Sequence, residues 1–389
     1  MSFVVAGLGV RSTFGIGPQV LLQGLCAGQP AYAPYAPFAA AGMRLPFAAA
    51  VPDAAFEGTA SWPDRATRLL EGAVRDALAD CGVDGLSALA ARFGVPKHRL
   101  ALVAGTSSSG IGPFSEVVAS GASRGDAHYG SAARDVARAL GHEGPLLVVC
   151  NVCASGAIAV AEAAALLDED RCDVAIAVGY DALAPFVGVG FASLNALTDR
   201  PRPFRAGRTG LVLGEGAAAL VLARRSIGPS RGRVTGWGIS ADAHHLTAPD
   251  PSGAGVALAI HRALERAGRT PADVGVINLH GTGTLFNDAM ESAALARVFG
   301  PGAGGVPAFT VKGTIGHAMG AGGAIEAVVS FAAMAARVVP PTVTSGEPDP
   351  ACDVALVTGA PLPCDATVTL SLSSAFGGSN CALVLEGAI

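Results

Sequence analysis

The feature that most constrains this chain is that it repeats itself. Leu102-Val103-Ala104-Gly105-Thr106 resembles Ile277-Asn278-Leu279-His280-Gly281-Thr282, each a strand-like run ending in Gly-Thr. Gly156-Ala157-Ile158 and Gly323-Ala324-Ile325 each open an apolar helix. Cys172-Asp173-Val174-Ala175-Ile176 is matched by Cys352-Asp353-Val354-Ala355-Leu356, and Ala219-Leu220-Val221-Leu222 by Ala382-Leu383-Val384-Leu385. Any one pair is ordinary in a chain rich in Ala and Val. Four in the same order, at similar separations, describe a duplication. Strand-like and helix-like segments alternate throughout, so each half is α/β. The halves are expected at 1–228 and 229–389, joined where Gly228, Pro229 and Gly232 mark a linker. Segments near 30–60 and 111–145 read as insertions in the first half. A helix is predicted over 66–78: Ala66, Leu69, Leu70, Ala73, Val74 and Ala77 share one face, and Gly82 is placed to stop it.

Composition narrows the class. With 51% hydrophobic and 15% charged residues, a 389-residue chain must hide much of its surface in a layered core, an oligomer interface or both. A net charge of −5 argues against a nucleic-acid partner. The chain opens on a strand-like Ser2-Phe3-Val4-Val5-Ala6, with no basic segment before an apolar stretch, so no signal peptide is expected. Glu162, Glu215 and Glu326 interrupt the apolar stretches, so no membrane span is expected either. The eight cysteines follow no secreted-type framework and read as reduced thiols of a cytoplasmic protein.

Four places carry chemistry. Leu146-Leu147-Val148-Val149 runs into Cys150-Asn151-Val152-Cys153, and a helix begins at once. A cysteine there meets the positive end of the helix dipole, which lowers its pKa and makes it a nucleophile; the alternative is a small residue at a crowded turn. The Cys150/Cys153 spacing also fits a redox dithiol. His280 ends a strand-like run and is followed by Gly281-Thr282-Gly283-Thr284, a favoured position for a catalytic histidine; a loop histidine bonded to backbone is the bland reading. Lys312 and His317 precede the second apolar helix, nearly where Cys153 precedes the first. Only two of the 26 basic residues are lysines, Lys97 and Lys312. Glu326, on an apolar helix, needs a partner, and Lys312 is the candidate. Phe376, beside Gly377 and Gly378, reads as an aromatic gate on a flexible loop, or as a core residue of a hairpin.

Taken together, these residues resemble the elongating, Cys-His-His type of β-ketoacyl-acyl carrier protein synthase, over nearly the whole chain. Val5-Ala6-Gly7-Leu8-Gly9, the Cys153 turn, Arg202-Pro203-Phe204, Gly214-Glu215-Gly216, Asp242-Ala243-His244-His245-Leu246-Thr247, His280-Gly281-Thr282, Lys312 with His317, and Phe376-Gly377-Gly378-Ser379-Asn380 follow the family in order. The resemblance implies a thiolase-like fold with a layered αβαβα core. It implies that Cys153 takes an acyl group from an acyl carrier protein, and that His280 and His317 bind the malonyl carbonyl and assist decarboxylation. Lys312 and Glu326 would support the histidines. The backbone N–H groups of Cys153 and Phe376 would form the oxyanion hole, and Phe376 would gate the pocket. Thr282, Thr284, His245, Gly377 and Gly378 would contact the substrate, whose acyl groups ride on the phosphopantetheine arm of the carrier. No metal or other cofactor is implied. A homodimer, or a heterodimer with a second ketosynthase-like subunit, is implied as the assembly. In a heterodimer the chain could act mainly as a structural or chain-length-setting subunit.

The chain also departs from the family. Asn151-Val152 replaces Thr-Ala before the cysteine, and Ser374-Ala375 replaces Phe-Gly in the gate. The segment between Gly110 and Cys153 is short. Because carrier proteins are acidic, Arg65, Arg68, Arg202, Arg205 and Arg208 are candidates for a basic docking patch, against the reading of ordinary solvated arginines.

Overall fold

The computed structural model describes residues 2–109, 111–112, 114, 128–300 and 305–388. Much of the short segment after Gly110 therefore lies outside the described residues. Ten strands form the main sheet: β1 Phe3–Ser12, β2 Leu100–Gly105, β3 Leu146–Val149, β4 Val174–Asp181, β5 Gly216–Ala223, β6 Gly232–Ala241, β7 Val276–Asn278, β8 Ala308–Phe309, β9 Val368–Ser374 and β10 Ser379–Gly387. Their spatial order is β8-β7-β9-β10-β6-β1-β5-β4-β2-β3, with the short strand Gly15–Ile16 paired to the end of β1. Numbered within its own half, each set of five runs third, second, fourth, fifth, first. The same mixed topology thus occurs twice, joined where β1 pairs antiparallel with β6 at Phe3/Val234, Val4/Arg233 and Val5/Gly232.

The helices that build the layers and frame the site are α1 Arg65–Asp80, α2 Ser155–Asp168, α3 Pro185–Ser193, α4 Ala254–Ala267, α5 Leu285–Phe299 and α6 Gly322–Ala336. The expected helix over 66–78 is α1. Asp64 caps it by accepting the Thr67 N–H at 3.1 Å, and Gly82 follows it at φ 70°. Helix α1 covers the outer face of β1, β4 and β5, and α4 covers β6 and β10, with α5 against α4. Helices α2 and α6 pack on each other in the middle layer. Both are apolar on nearly every side, as a helix between two sheets must be. Five layers, αβαβα, result. The α2/α6 crossing is tight: a Cβ on Gly156 would stand 2.6 Å from the Gly320 carbonyl oxygen.

One expected correspondence is corrected. Cys172–Ile176 enters β4, and the topological equivalent of β4 is β9, Val368–Ser374. Residues 352–356 form no full strand. Leu356 makes an isolated bridge to Ala308 and Val357 donates to the Ala308 carbonyl, so this segment covers the edge strand β8. The stretch Met319–Ala336 is long and apolar enough to cross a membrane, but 83% of it is buried between the sheets.

Candidate active site

The two middle helices begin at the same end of the molecule, and each is preceded by a 3-10 turn, Val152–Ala154 and Met319–Ala321. Cys153 lies in the first turn and is 6% exposed; His317 lies just before the second and is 2% exposed. His280 follows β7 and is 4% exposed. The three line one cavity of about 280 Å³, with Thr282, Thr284, Phe376 and Ser374. The two imidazoles meet edge to face, their centres 5.4 Å apart.

Carboxylates hold the loops that carry these side chains. Glu291 accepts the His280 and Gly281 backbone N–H groups at 2.6 and 2.9 Å. Asp288 accepts those of Gly283, at 3.1 Å, and Phe204, at 2.8 Å. Both project from α5. Asp181, at the end of β4, accepts the Thr106 hydroxyl at 2.7 Å and the backbone N–H groups of Ser107, Ser108 and Gly320. It so joins the first half to the turn before α6. Sequence reading passed over all three. The signal for Asp288 and Glu291 was present, as acidic residues three apart on the helix after a glycine-rich loop. Asp181 gave none, because its partners come together only in the fold. Behind the histidines, Lys312 donates to Glu326, and both are buried; Glu326 also receives the Ser373 hydroxyl at 3.4 Å. The other lysine, Lys97, pairs with Glu143 at the surface.

Burial sets the protonation states. It depresses both histidines well below the usual imidazole value, and the Lys312 charge adds to the effect. Both rings are therefore neutral at neutral pH. Burial also pushes the Cys153 thiol up to about 12, with Lys312 opposing and Asp181 assisting. The expected lowering by the helix dipole is overridden. Helix α2 itself starts only at Ser155, and the thiol has lost its water. Cys150, by contrast, is exposed beyond the end of β3, so the two thiols of the spacing do not share an environment, and all eight cysteines are free.

Residue 152, before the cysteine, stands at φ 50°, a left-handed conformation that a β-branched valine rarely adopts. The Phe376 N–H has no hydrogen-bond acceptor among the described residues, and the Cys153 N–H faces its own thiol sulfur. Phe376 stacks on Phe191 of α3, with centres 5.8 Å apart. Its loop is tied down on the far side, where Gly377 donates to the Leu246 carbonyl at 2.7 Å and Asp242 donates its N–H to Gly378 at 2.9 Å.

Several expected contacts fall elsewhere. His245 is exposed and does not line the cavity; its Nδ1 accepts from the Thr247 and Ala248 N–H groups, closing a local turn. Gly377 and Gly378 hold the Phe376 loop from outside the cavity. The basic patch loses two members. Arg208 is 4% exposed, donates to the Thr284 and Leu285 carbonyls, and pairs with Asp349. Arg65 is spent on the buried Glu215 and the Val51 carbonyl. Arg68 lies over the Phe56 ring at 4.5 Å, and Arg202 and Arg205 are half-buried. None of the five lines the cavity.

Two equivalent α/β halves that bring a cysteine from one and two histidines from the other into a single cavity define a thiolase-like, acyl-transferring enzyme. Comparison with known proteins agrees. The β-ketoacyl synthase N-terminal domain matches residues 2–227 and its C-terminal domain matches 231–345. The tetracenomycin polyketide synthase ketoacyl synthase alpha subunit of Streptomyces glaucescens is 35% identical, over 98% of this chain and 96% of its own. A 3-oxoacyl-[acyl-carrier-protein] synthase 2 of Staphylococcus aureus is 35% identical over 64% of this chain and 63% of its own. A solved β-ketoacyl synthase from Burkholderia phymatum superposes with a TM-score of 0.89 at 28% identity, covering 100% of this chain and 99% of that one. The ishigamide ketosynthase/chain length factor does so at 0.88 and 29%, with the same coverage. The chain belongs to the β-ketoacyl synthase family.

Proposed function

We propose that this chain condenses an acyl group held on Cys153 with a malonyl thioester carried on an acyl carrier protein, releasing CO2 and a β-ketoacyl thioester two carbons longer. The observation that carries this reading is the shared cavity of Cys153 and two neutral histidines. In the first step the Cys153 sulfur attacks the acyl thioester carbonyl, and the carrier thiol leaves with the proton. A thiol pushed to about 12 needs help to lose that proton, and a neutral imidazole beside it can take it up and pass it on. The N–H groups of Cys153 and Phe376 would hold the developing oxyanion. In the second step the malonyl carboxylate departs as CO2, leaving an enolate. His280 and His317 donate to its oxygen. Its carbon then attacks the acyl carbonyl, forming the C–C bond and breaking the C–S bond to Cys153. Lys312 and Glu326 position the histidines, and Thr282 and Thr284 line the path of the pantetheine arm. The chemistry requires no resident metal or redox group. Eight unpaired cysteines support a cytoplasmic setting.

The test is intact-protein mass spectrometry after incubation with acyl carrier proteins bearing a series of acyl chains, followed by malonyl-carrier protein. Wild type should gain an acyl adduct that malonyl addition discharges, and Cys153→Ala should gain none. An adduct that persists after malonyl addition would instead mark the chain as mainly the structural or chain-length-setting subunit of a heterodimer.

A further inference from the structure

Two non-glycine residues with left-handed backbone stand at matching places in the two halves. Val152, at φ 50°, opens the 3-10 turn before α2, and Met319, also at φ 50°, opens the one before α6. Val152 precedes Cys153, and Met319 follows His317 by two residues. Such a conformation persists only where its surroundings hold it. Ser155 holds the first turn. Its Oγ accepts the Asn151 N–H at 2.8 Å and lies 2.7 and 3.0 Å from the carbonyl oxygens of Val152 and Thr106. Asp181 holds the second, accepting at 2.6 Å the N–H of Gly320, the residue after Met319. The two clamps meet at Thr106, whose hydroxyl donates to Asp181 at 2.7 Å. Asp181 is fully buried, and the N–H and hydroxyl groups of both Ser107 and Ser108 also donate to it. There is no slack at this junction: a Cβ on Gly320 would stand 2.5 Å from the Ser107 nitrogen and 2.6 Å from Asp181 Oδ2. His317 has a tie of its own, donating its N–H to the Val212 carbonyl at 2.7 Å. The segment that carries it is thus fixed at both ends. Neither Asp181 nor Ser155 lines the cavity.

Resting on the condensing reading above, we propose that Asp181, with Ser155, is a positioning residue for C–C bond formation. The Ser155–Thr106–Asp181 brace holds both strained turns and so fixes the distance between the acyl carbonyl on Cys153 and the enolate that forms at His317. The two parts of the second step make different demands. Loss of CO2 needs the malonyl carbonyl held by the two histidines. Bond formation also needs the enolate carbon within about 3–3.5 Å of the acyl carbonyl. An enolate out of reach takes up a proton from solvent instead, so that malonyl-carrier protein ends as acetyl-carrier protein and CO2 while the acyl group stays on Cys153. The brace therefore acts on the partition between two products. Asp181→Asn puts an NH2 group where one carboxylate oxygen stood. Either way round, that group faces backbone N–H donors, those of Ser107 and Gly320 or that of Ser108, and the brace is cut on one side. Ser155→Ala removes the clamp on the other turn and asks little of the fold, since alanine suits a first helical turn.

The experiment follows a single turnover. Enzyme preloaded with whichever acyl group of the series above loads Cys153 is mixed with one equivalent of malonyl-carrier protein. Mass spectrometry then measures acetyl-carrier protein against β-ketoacyl-carrier protein. In wild type the condensed product should dominate. In Asp181→Asn the ratio of acetyl to condensed product should rise at least about tenfold, the effect of misplacing reacting atoms by a fraction of an ångström. Ser155→Ala should raise it in the same direction. Loss of folded protein lowers both products together and leaves the ratio alone. An unchanged ratio in either folded variant therefore assigns these residues to stability only and overturns the brace. Should Asp181→Asn fail to fold, Ser155→Ala decides. A wild type that loads no acyl group, or forms neither product, would sink the condensing reading itself, a result distinct from an unchanged ratio.

Discussion

Cys153 and Glu291 are both held in their protonated forms by burial, one on the reacting atom and one beneath the histidine loop. Burial lifts the Glu291 carboxyl from 4.5 to about 8, against the Gly281 and His280 N–H groups and the Lys312 charge, with Asp288 adding to the rise. A carboxyl raised in the folded state contributes stability that is full below about pH 4.5 and is lost as pH climbs through about 8. Glu291→Gln carries no such charge. The stability of wild type relative to this variant should therefore fall across that window, by on the order of a few kcal/mol. Urea denaturation of both proteins at several pH values measures it; a flat difference would mean that the two N–H donors keep the carboxylate ionised. Residues of this kind mark the limit of reading a sequence. Cys153, His280, Lys312 and His317 were legible because each ends a strand or opens a helix beside glycines, and Lys312 stands out where arginine is the rule. The carboxylates that hold their loops were not, because what makes them special is a partner supplied by the fold. Arg65 and Arg208 show the converse: charge in sequence says nothing of whether a carboxylate has already claimed it.

Among the elements, the Phe376 loop bears most directly on access to the cavity. Ala375 sits at φ −143°, ψ 157°, an extended conformation that suits alanine, and its N–H donates to Ser379 while its carbonyl accepts from Gly378. The freedom on that side of Phe376 is less than a glycine would give, whereas Gly377 and Gly378 keep positive φ on the other. Ala375→Gly should loosen the loop by about 0.5–1 kcal/mol. If gate opening limits admission of the malonyl thioester, discharge of the acyl adduct should then speed up severalfold, by about the same free energy. Rapid-quench mass spectrometry of preloaded enzyme reads this, and an unchanged rate would show that the gate is not limiting. At this scale the duplication was legible in three of its four segments. The fourth misled because a Cys-Asp-Val-Ala run is equally suited to entering a central strand, as Cys172–Ile176 does, and to lying along an edge, as 352–356 does. Local pattern cannot tell the two apart; the neighbouring strand decides.

The whole sheet has two ends, and they are finished differently. At one, β8 is buried and its outer side is covered by the segment that reaches Leu356 and Val357. At the other, β3 pairs with β2 alone among the described residues, and Val148 is 37% exposed, with Val152 37% exposed just beyond it. A bare apolar edge is a template for another strand, and natural proteins leave one uncharged where a partner covers it. A chain of 38.5 kDa with half its residues apolar and few charges gains from burying that surface. The β3 edge should therefore pair with a second subunit, and equilibrium sedimentation of the wild type should give twice the chain mass. Val148→Lys places a charge in the middle of that edge. It should raise the dimer dissociation constant at least about a hundredfold, the effect of burying an unpaired charge in an interface core, while leaving the fold of the single chain intact by circular dichroism. A wild type that sediments as one chain would mean that the edge belongs to a different ketosynthase-like subunit. Co-expression with that subunit, followed by loss of the complex in Val148→Lys, would then place the interface on the same strand. The two results separate homodimer from heterodimer, and a variant that stays assembled in both settings would take the interface away from β3 altogether.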